Sequence, residues 1–309
     1  MKQGRETKDI AASIRQRLLN RSAREGVDFQ LMLTRYAIER MLYRLGQSEY
    51  RERFVLKGAM LFIAWEGWSL RPTRDVDLLG QGNPAASELK SIFEVLCRLE
   101  VEPDGLIFHP ETITVDDIRE DQPYSGKRVR LRATLGEARI AVQADIGYGD
   151  VVFPALLTFP TLLKLPPPQI LAYPPESVIA EKLEAMIRFG PVNSRMKDFY
   201  DLWQLALHFS FDGARLAEAI RATFQRRRTS LPGDLPLALT DDFYRERRRQ
   251  TMWQAFLRKN RLAPAEGDFE VVGRLLQEFL SPPVQHLARR APFQGQWPPG
   301  GPWKIDVRD

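Results

Sequence analysis

Three features follow one another between residues 57 and 79: the small pair Gly58-Ala59 behind Lys57, an apolar run from Ala59 to Trp65, and Arg71-Pro-Thr-Arg-Asp-Val-Asp-Leu-Leu79. The apolar run has the length of a short buried helix, and Val76 to Leu79 reads as a strand. Residues two apart on a strand share a face, so Asp75 and Asp77 point the same way while Val76 points into a core. Two carboxylates held this close repel each other unless a cation lies between them, and oxygen-only ligands suit a hard ion such as Mg²⁺. A helix starting after Gly58 offers free backbone N–H groups, and the missing Cβ lets a phosphate come near. An Asp-x-Asp alone is often a turn or cap. The order of all three points to nucleotide chemistry on a mixed α/β core.

A third carboxylate lies on the run Ala138-Arg-Ile-Ala-Val-Gln-Ala-Asp-Ile-Gly147, where Ile140, Val142, Ala144 and Ile146 alternate with Ala141, Gln143 and Asp145 in the period of a strand. Taken alone, Asp145 reads as an exposed strand-end acid; beside Asp75 and Asp77 it gains a purpose. Two helices follow. Glu176 to Phe189 runs from Pro174-Pro175 to Gly190-Pro191, with Ile179, Leu183, Met186 and Ile187 on one face. Lys182 sits at the border of that face, where a lysine ordinarily snorkels to water and alternatively aims a point charge at a phosphate. The helix from about Ser194 to Phe209 buries Phe199, Leu202, Trp203 and Ala206. It sets Asp198 and Asp201 on one flank beside Arg195 and Lys197, an arrangement that also suits a plain i, i+3 ion pair.

The chain divides by pattern into a helical segment over residues 1–50, a mixed core over 51–165, a helical part over 166–281 and a tail over 282–309. Leu165 to Pro175 reads as a stiff linker, because proline denies helix continuation and ladder hydrogen bonds. The Pro/Gly-rich tail is expected to lack regular structure, with Trp297 and Trp303 packing on the body or on a partner. Cys97 is the one cysteine, so no internal disulfide forms, and the histidines at 109, 208 and 286 have no zinc spacing. With a charged start, Met1 to Asp9, and no run of about 18 apolar residues, a cytoplasmic protein with no membrane span is expected. Residues 221–261 hold eleven Lys or Arg against four acids, although the whole chain is only +5. Arg226-Arg227-Arg228 and Arg245-Glu-Arg-Arg-Arg249, interleaved with Phe224, Phe243, Tyr244 and Trp253, suit an RNA backbone; a solvated face or a dock for an acidic protein suits them equally.

Over roughly residues 12 to 280 the chain resembles the AbiEii/AbiGii toxin family, a branch of the polymerase-β-like nucleotidyltransferases. The matching stretches are Asp28 to Arg40, Phe54-Val-Leu-Lys-Gly-Ala-Met60, Arg74-Asp-Val-Asp77, Asp145-Ile-Gly-Tyr-Gly149, Ala180-Glu-Lys-Leu183 and Arg195-Met-Lys-Asp-Phe-Tyr-Asp-Leu202. The resemblance implies an α+β fold: a small mixed sheet flanked by helices, with N-terminal helices and a C-terminal helical domain. It implies Asp75, Asp77 and, as the third carboxylate, Asp145 as ligands of Mg²⁺, Lys182 on the nucleotide phosphates and Asp198 as a second essential acid. Lys57, Gly58, Ala59 and Arg74 would lie at the nucleotide. Where the family often has Gly-Ser this chain has Gly58-Ala59, so a hydroxyl contact to phosphate is missing. The implied activity is transfer of a nucleoside monophosphate from an NTP to RNA, at the 3′ end of tRNA, by a toxin with a cognate antitoxin. The alternatives are a nucleotidyltransferase acting on Ser, Thr or Tyr of proteins, and a non-catalytic nucleotide-binding regulator.

Overall fold

Alternation of side chains decides the larger sheet. In the computed structural model, β4 (Gly126–Leu135) and β5 (Ala138–Tyr148) turn Val129, Leu131, Ala133, Ile140, Val142 and Ala144 to one face, none more than 3% exposed. Helices α2 (Phe29–Gln47) and α4 (Ala86–Arg98) bury that face, with Ile38, Met41, Leu45 and Phe93 meeting Val76, Leu78 and Ala144. The structure describes residues 2–66, 73–82, 85–118, 126–262 and 268–305, with side chains from residue 10 onward. Of the features named above, Met1, Arg71, Pro72 and residues 306–309 lie outside the described residues, and the charged run up to Asp9 is described in backbone only.

The sheet has seven strands in the order β3-β4-β5-β2-β1-β7-β6. Besides β4 and β5 these are β1 (Phe54–Lys57), β2 (Val76–Gly80), β3 (Leu106–Ile118), β6 (Ala155–Thr158) and β7 (Gln169–Ala172). The β2–β5 and β1–β7 pairs are parallel and the other four antiparallel, which makes this a mixed, helix-flanked sheet of the kind the family resemblance implies. Two compact units result: Met1–Gly149 with Pro154–Tyr173, and Asp150–Phe153 with Pro174–Asp309. The stretch read as a stiff linker therefore contains a strand. Gln169 to Ala172, between Pro168 and Pro174, is just long enough to pair beside β1, and the prolines confine it without entering its ladder.

Beneath the sheet, α2 carries a buried polar cluster. Arg44 and Arg40 reach Asp104 at 2.6 and 3.4 Å, and Glu39 accepts from the Leu162 backbone N–H at 2.7 Å. Burial pushes the Glu39 carboxyl up to about 7, against lowering by that N–H and by Arg40, and its Oε1 has no hydrogen-bond partner. A raised acid contributes stability below its unfolded value, near 4.5, that is lost as pH rises through about 7. Glu39→Gln keeps the acceptor and removes the charge. Its stability relative to the parent's is expected to rise between pH 5 and pH 9, by up to about 3 kcal/mol. Urea unfolding at several pH values tests this, and parallel curves for the two proteins would refute it.

The second unit is helical: α5 (Pro175–Phe189), α6 (Met196–His208), α7 (Gly213–Arg227), α8 (Asp241–Arg245), α9 (Arg247–Asn260) and α10 (Phe269–Ala288). The expectation of an irregular tail from Pro282 onward is corrected here. α10 continues through Pro282-Pro283 to Ala288, and Gln296–Trp297 (β9) pairs with Phe211–Asp212 (β8). A proline cannot donate to the carbonyl four residues back, so Pro283 frees the oxygen of Phe279. The Trp303 indole donates to that oxygen at 2.9 Å. Trp297 does the same at the end of α6, donating to the Ala206 oxygen at 2.7 Å, with the Gly300 N–H at 3.0 Å. The tail is held by carbonyls that helices cannot satisfy themselves.

Candidate active site

The site in the first unit is built by strand register. Across β4, β5, β2 and β1, Arg128 lies opposite Asp145, Asp145 opposite Asp77, and Asp77 opposite Lys57, so four charged residues form one row across the sheet. Directly paired residues share a face, which gives the sequence cation, acid, acid, cation on the side away from α2 and α4. Asp75 precedes β2 by one residue and accepts from the Thr73 hydroxyl at 2.9 Å. The two acids of the Asp-x-Asp and the acid of β5 are thus brought to neighbouring positions, and Val76, 3% exposed, faces the core as expected.

Gly58 has a different use from the one its position suggests. Its φ is +74°, and a Cβ there would lie 2.0 Å from Asp77 Oδ2. The space left by the missing side chain holds the Asp77 carboxylate. The helix behind it, α3 (Met60–Glu66), has only seven residues, and Ala59 is buried. Gly58→Ala combines left-handed strain of about 1–2 kcal/mol with displacement of that carboxylate. Nucleotide transfer by Gly58→Ala is expected to fall nearly as far as in a variant lacking Asp77, with a lowered melting midpoint; activity close to the parent's would show that Asp77 does not need this seat.

Lys57 is half-buried, and its Nζ reaches across β2. A Cβ at Gly147 would stand 3.2 Å from that nitrogen, and the Tyr173 ring centroid lies 5.9 Å away. Arg74 is exposed. Asp145 is held by a residue that motif reading passes over: Arg128 donates to its two oxygens at 2.7 and 2.5 Å, a bidentate fork. The signal was present in Lys127-Arg-Val-Arg-Leu-Arg-Ala133, a strand period with a basic face.

The oxygen donors suit a hard divalent cation in kind. Asp75 and Asp77 could hold one, while Asp145 has its two oxygens engaged by Arg128. Among the described residues no three or more His, Cys, Asp or Glu form a ready metal-binding group. A cation held here would rest on those two carboxylates, with Asp145 clamped alongside by Arg128.

In the second unit, Lys182 does not extend to water. Its Nζ lies 2.7 Å from Asp198 Oδ1 and 2.9 Å from Asp201 Oδ2, both acids 1% exposed, and Arg195 Nε meets Asp198 Oδ2 at 2.5 Å. Burial would raise the Asp198 carboxyl, but Lys182 and Arg195 outweigh it and hold it well below the usual carboxylate range. Asp201, to which the resemblance gives no role, shares the Lys182 ammonium with Asp198.

The basic stretch 221–261 is only partly a surface. Phe224, Phe243, Tyr244 and Trp253 are each at most 2% exposed and form core, so they cannot stack on bases. Arg249 is buried on the Pro191 and Asn193 carbonyls and against the Phe243 ring, and Arg227 is enclosed by Asp150, Glu181 and Glu184. Arg226, Arg228, Arg247, Arg248, Arg258, Lys259 and Arg261 stay exposed.

The profile of the family described as "Nucleotidyl transferase AbiEii toxin, Type IV TA system" matches residues 40–280. Among solved structures the chain is similar to JHP933 from Helicobacter pylori, at 14% identity and TM-score 0.49, covering 85% of this chain and 95% of that one. A second H. pylori structure, provisionally described as a nucleotidyltransferase, matches at 15% identity and TM-score 0.46, covering 85% and 98%. At these scores the likeness adds nothing to the sheet described above. No curated protein matches significantly. Among the described residues no helix is long and apolar enough to cross a membrane.

Proposed function

The chain belongs to the AbiEii nucleotidyl transferase toxin family, and from that premise we propose that it transfers a nucleoside monophosphate from an NTP to the 3′ end of an RNA, with tRNA as the acceptor. The observation that carries this reading is the row Arg128, Asp145, Asp77, Lys57, with Asp75 beside it. Asp75 and Asp77 would hold a divalent cation such as Mg²⁺, which when bound draws charge from the triphosphate and eases deprotonation of the acceptor hydroxyl.

The remaining work falls to the chain's own side chains. Asp145, held in orientation by Arg128, faces the acceptor hydroxyl and takes up its proton as that oxygen attacks the α-phosphorus. The bond from that phosphorus to the bridging oxygen breaks, and pyrophosphate leaves with the electron pair. Lys57, on the same face, offsets the negative charge that develops there. The family resemblance also gives Lys182 to the triphosphate; its ammonium is engaged by Asp198 and Asp201 within its own unit, so it would offer a shared charge. The exposed arginines of residues 226–261 support RNA as the acceptor through phosphate contacts that position without reading sequence. A type IV toxin–antitoxin family also implies an antitoxin.

Incubation with total RNA, Mg²⁺ and each α-³²P-labelled NTP in turn, beside an Asp77→Ala control, tests the proposal. A labelled tRNA-sized band with the parent alone is the expected result and names the base. Label in protein, or in nothing, would overturn the RNA reading.

A further inference from the structure

The sheet face that carries the carboxylates continues beyond Asp145 as a basic ribbon. Arg130 and Arg132 follow Arg128 along the same face of β4, and the pairing of Thr134 with Arg139 brings Arg139 of β5 onto it. On the far side β3 places Asp116, Thr114 and His109 opposite Arg128, Arg130 and Arg132. Arg130, Arg132 and Arg139 are exposed, while the reverse face of both strands is core.

Past the carboxylates this face therefore carries four arginines against Asp116, with Glu111 of the β3 bulge turned to His109. Arg128 is committed to Asp145. Arg130 meets Asp116 at 2.6 Å in a pair about half exposed on each side, which is weak and readily exchanged. Among the described residues no acid is paired with Arg132 or Arg139.

We propose that this ribbon is the track for the acceptor: the single-stranded end of an RNA, with its terminal hydroxyl at Asp145 and its preceding phosphates on Arg130, Arg132 and Arg139. The proposal rests on the nucleotidyl-transfer reading above and adds to it the path of the acceptor. Two residues along a strand advance roughly 7 Å, a step on the scale of successive phosphates in an extended chain. Each guanidinium offers a planar fork that matches phosphate oxygens. The ribbon also begins at the one acid that Arg128 aims, so the strand that binds it is delivered in register with the reacting atom.

The test is equilibrium binding by fluorescence anisotropy, without NTP or metal, of deacylated tRNA and of the same tRNA trimmed of its single-stranded 3′ end. Three forms of the full chain are compared: the parent, Arg130→Gln/Arg132→Gln/Arg139→Gln, and Arg247→Gln/Arg248→Gln/Arg258→Gln on α9. The parent is expected to prefer whole tRNA. The ribbon variant loses that preference, binds whole tRNA about tenfold more weakly, and shows a log–log salt slope smaller by about 2 to 3. The α9 variant weakens both RNAs and keeps the preference. A ribbon variant that still prefers whole tRNA, or a parent with no preference, overturns the proposal, and melting curves exclude misfolding as the cause. Nucleotide addition is assayed in parallel: addition by the parent with ribbon-independent binding overturns the track alone, and ribbon-dependent binding without addition overturns the reaction alone.

Discussion

Asp77→Asn is expected to lose nucleotide transfer by about three orders of magnitude, the several kcal/mol that a correctly held cation contributes to a phosphoryl transition state. Asp77 is central to the row: it faces Asp145 on one side and Lys57 on the other, and it occupies the recess at Gly58. An asparagine fits the same recess, so folding should be preserved and the loss should appear in the chemical step. The measurement is the transfer rate at saturating NTP and Mg²⁺ beside a melting curve. A rate within tenfold of the parent's would remove Asp77 from the metal mount.

Lys182→Met is expected to lose about 3–5 kcal/mol of stability in urea unfolding, the cost of removing one member from a buried ion-pair cluster. Asp198 keeps Arg195, and Asp201 loses its 2.9 Å contact with the Lys182 ammonium. The pH dependence follows from the direction of the Asp198 shift. A depressed carboxyl contributes stability above its unfolded value, near 3.8, that is lost as pH falls through its lower folded value. Without Lys182 the folded value rises, and acid unfolding should begin at higher pH. A variant as stable as the parent but inactive would assign this lysine to the phosphates instead. Inactivity alone cannot make that assignment, since an unfolded helical unit is inactive too.

Much of this site was legible because strand periodicity is short-range information. Asp75, Val76 and Asp77 need only the rule that side chains alternate, and Asp145 needs only its own strand. Which strands lie side by side is long-range, so the register that sets Asp145 against Asp77 could not be read from either segment. Arg128 was missed for the same reason: its importance comes from the strand next to it. The aromatic residues of 221–261 misled in the opposite sense, since spacing among arginines suggested a surface while helix packing made them core. Gly58 shows a further limit. A glycine announces that something needs its space, and whether that is a ligand or the protein's own carboxylate is a tertiary fact.

The indole caps on α6 and α10 also bear on the order in which the two units can close as the chain is made. Translation supplies every strand of the larger sheet by residue 172, so the carboxylate row can assemble while the remainder is still being made. The helical unit cannot: the Ala206 and Phe279 carbonyls wait for Trp297 and Trp303, roughly ninety and twenty-five residues later in the chain. A nascent chain released early, or one nicked after α10, would keep a finished sheet and a helical unit whose α6 and α10 ends are open to water. Closure of α6 and α10 thus depends on two tryptophans that follow both helices in the chain, whereas the carboxylate row depends on nothing beyond residue 172.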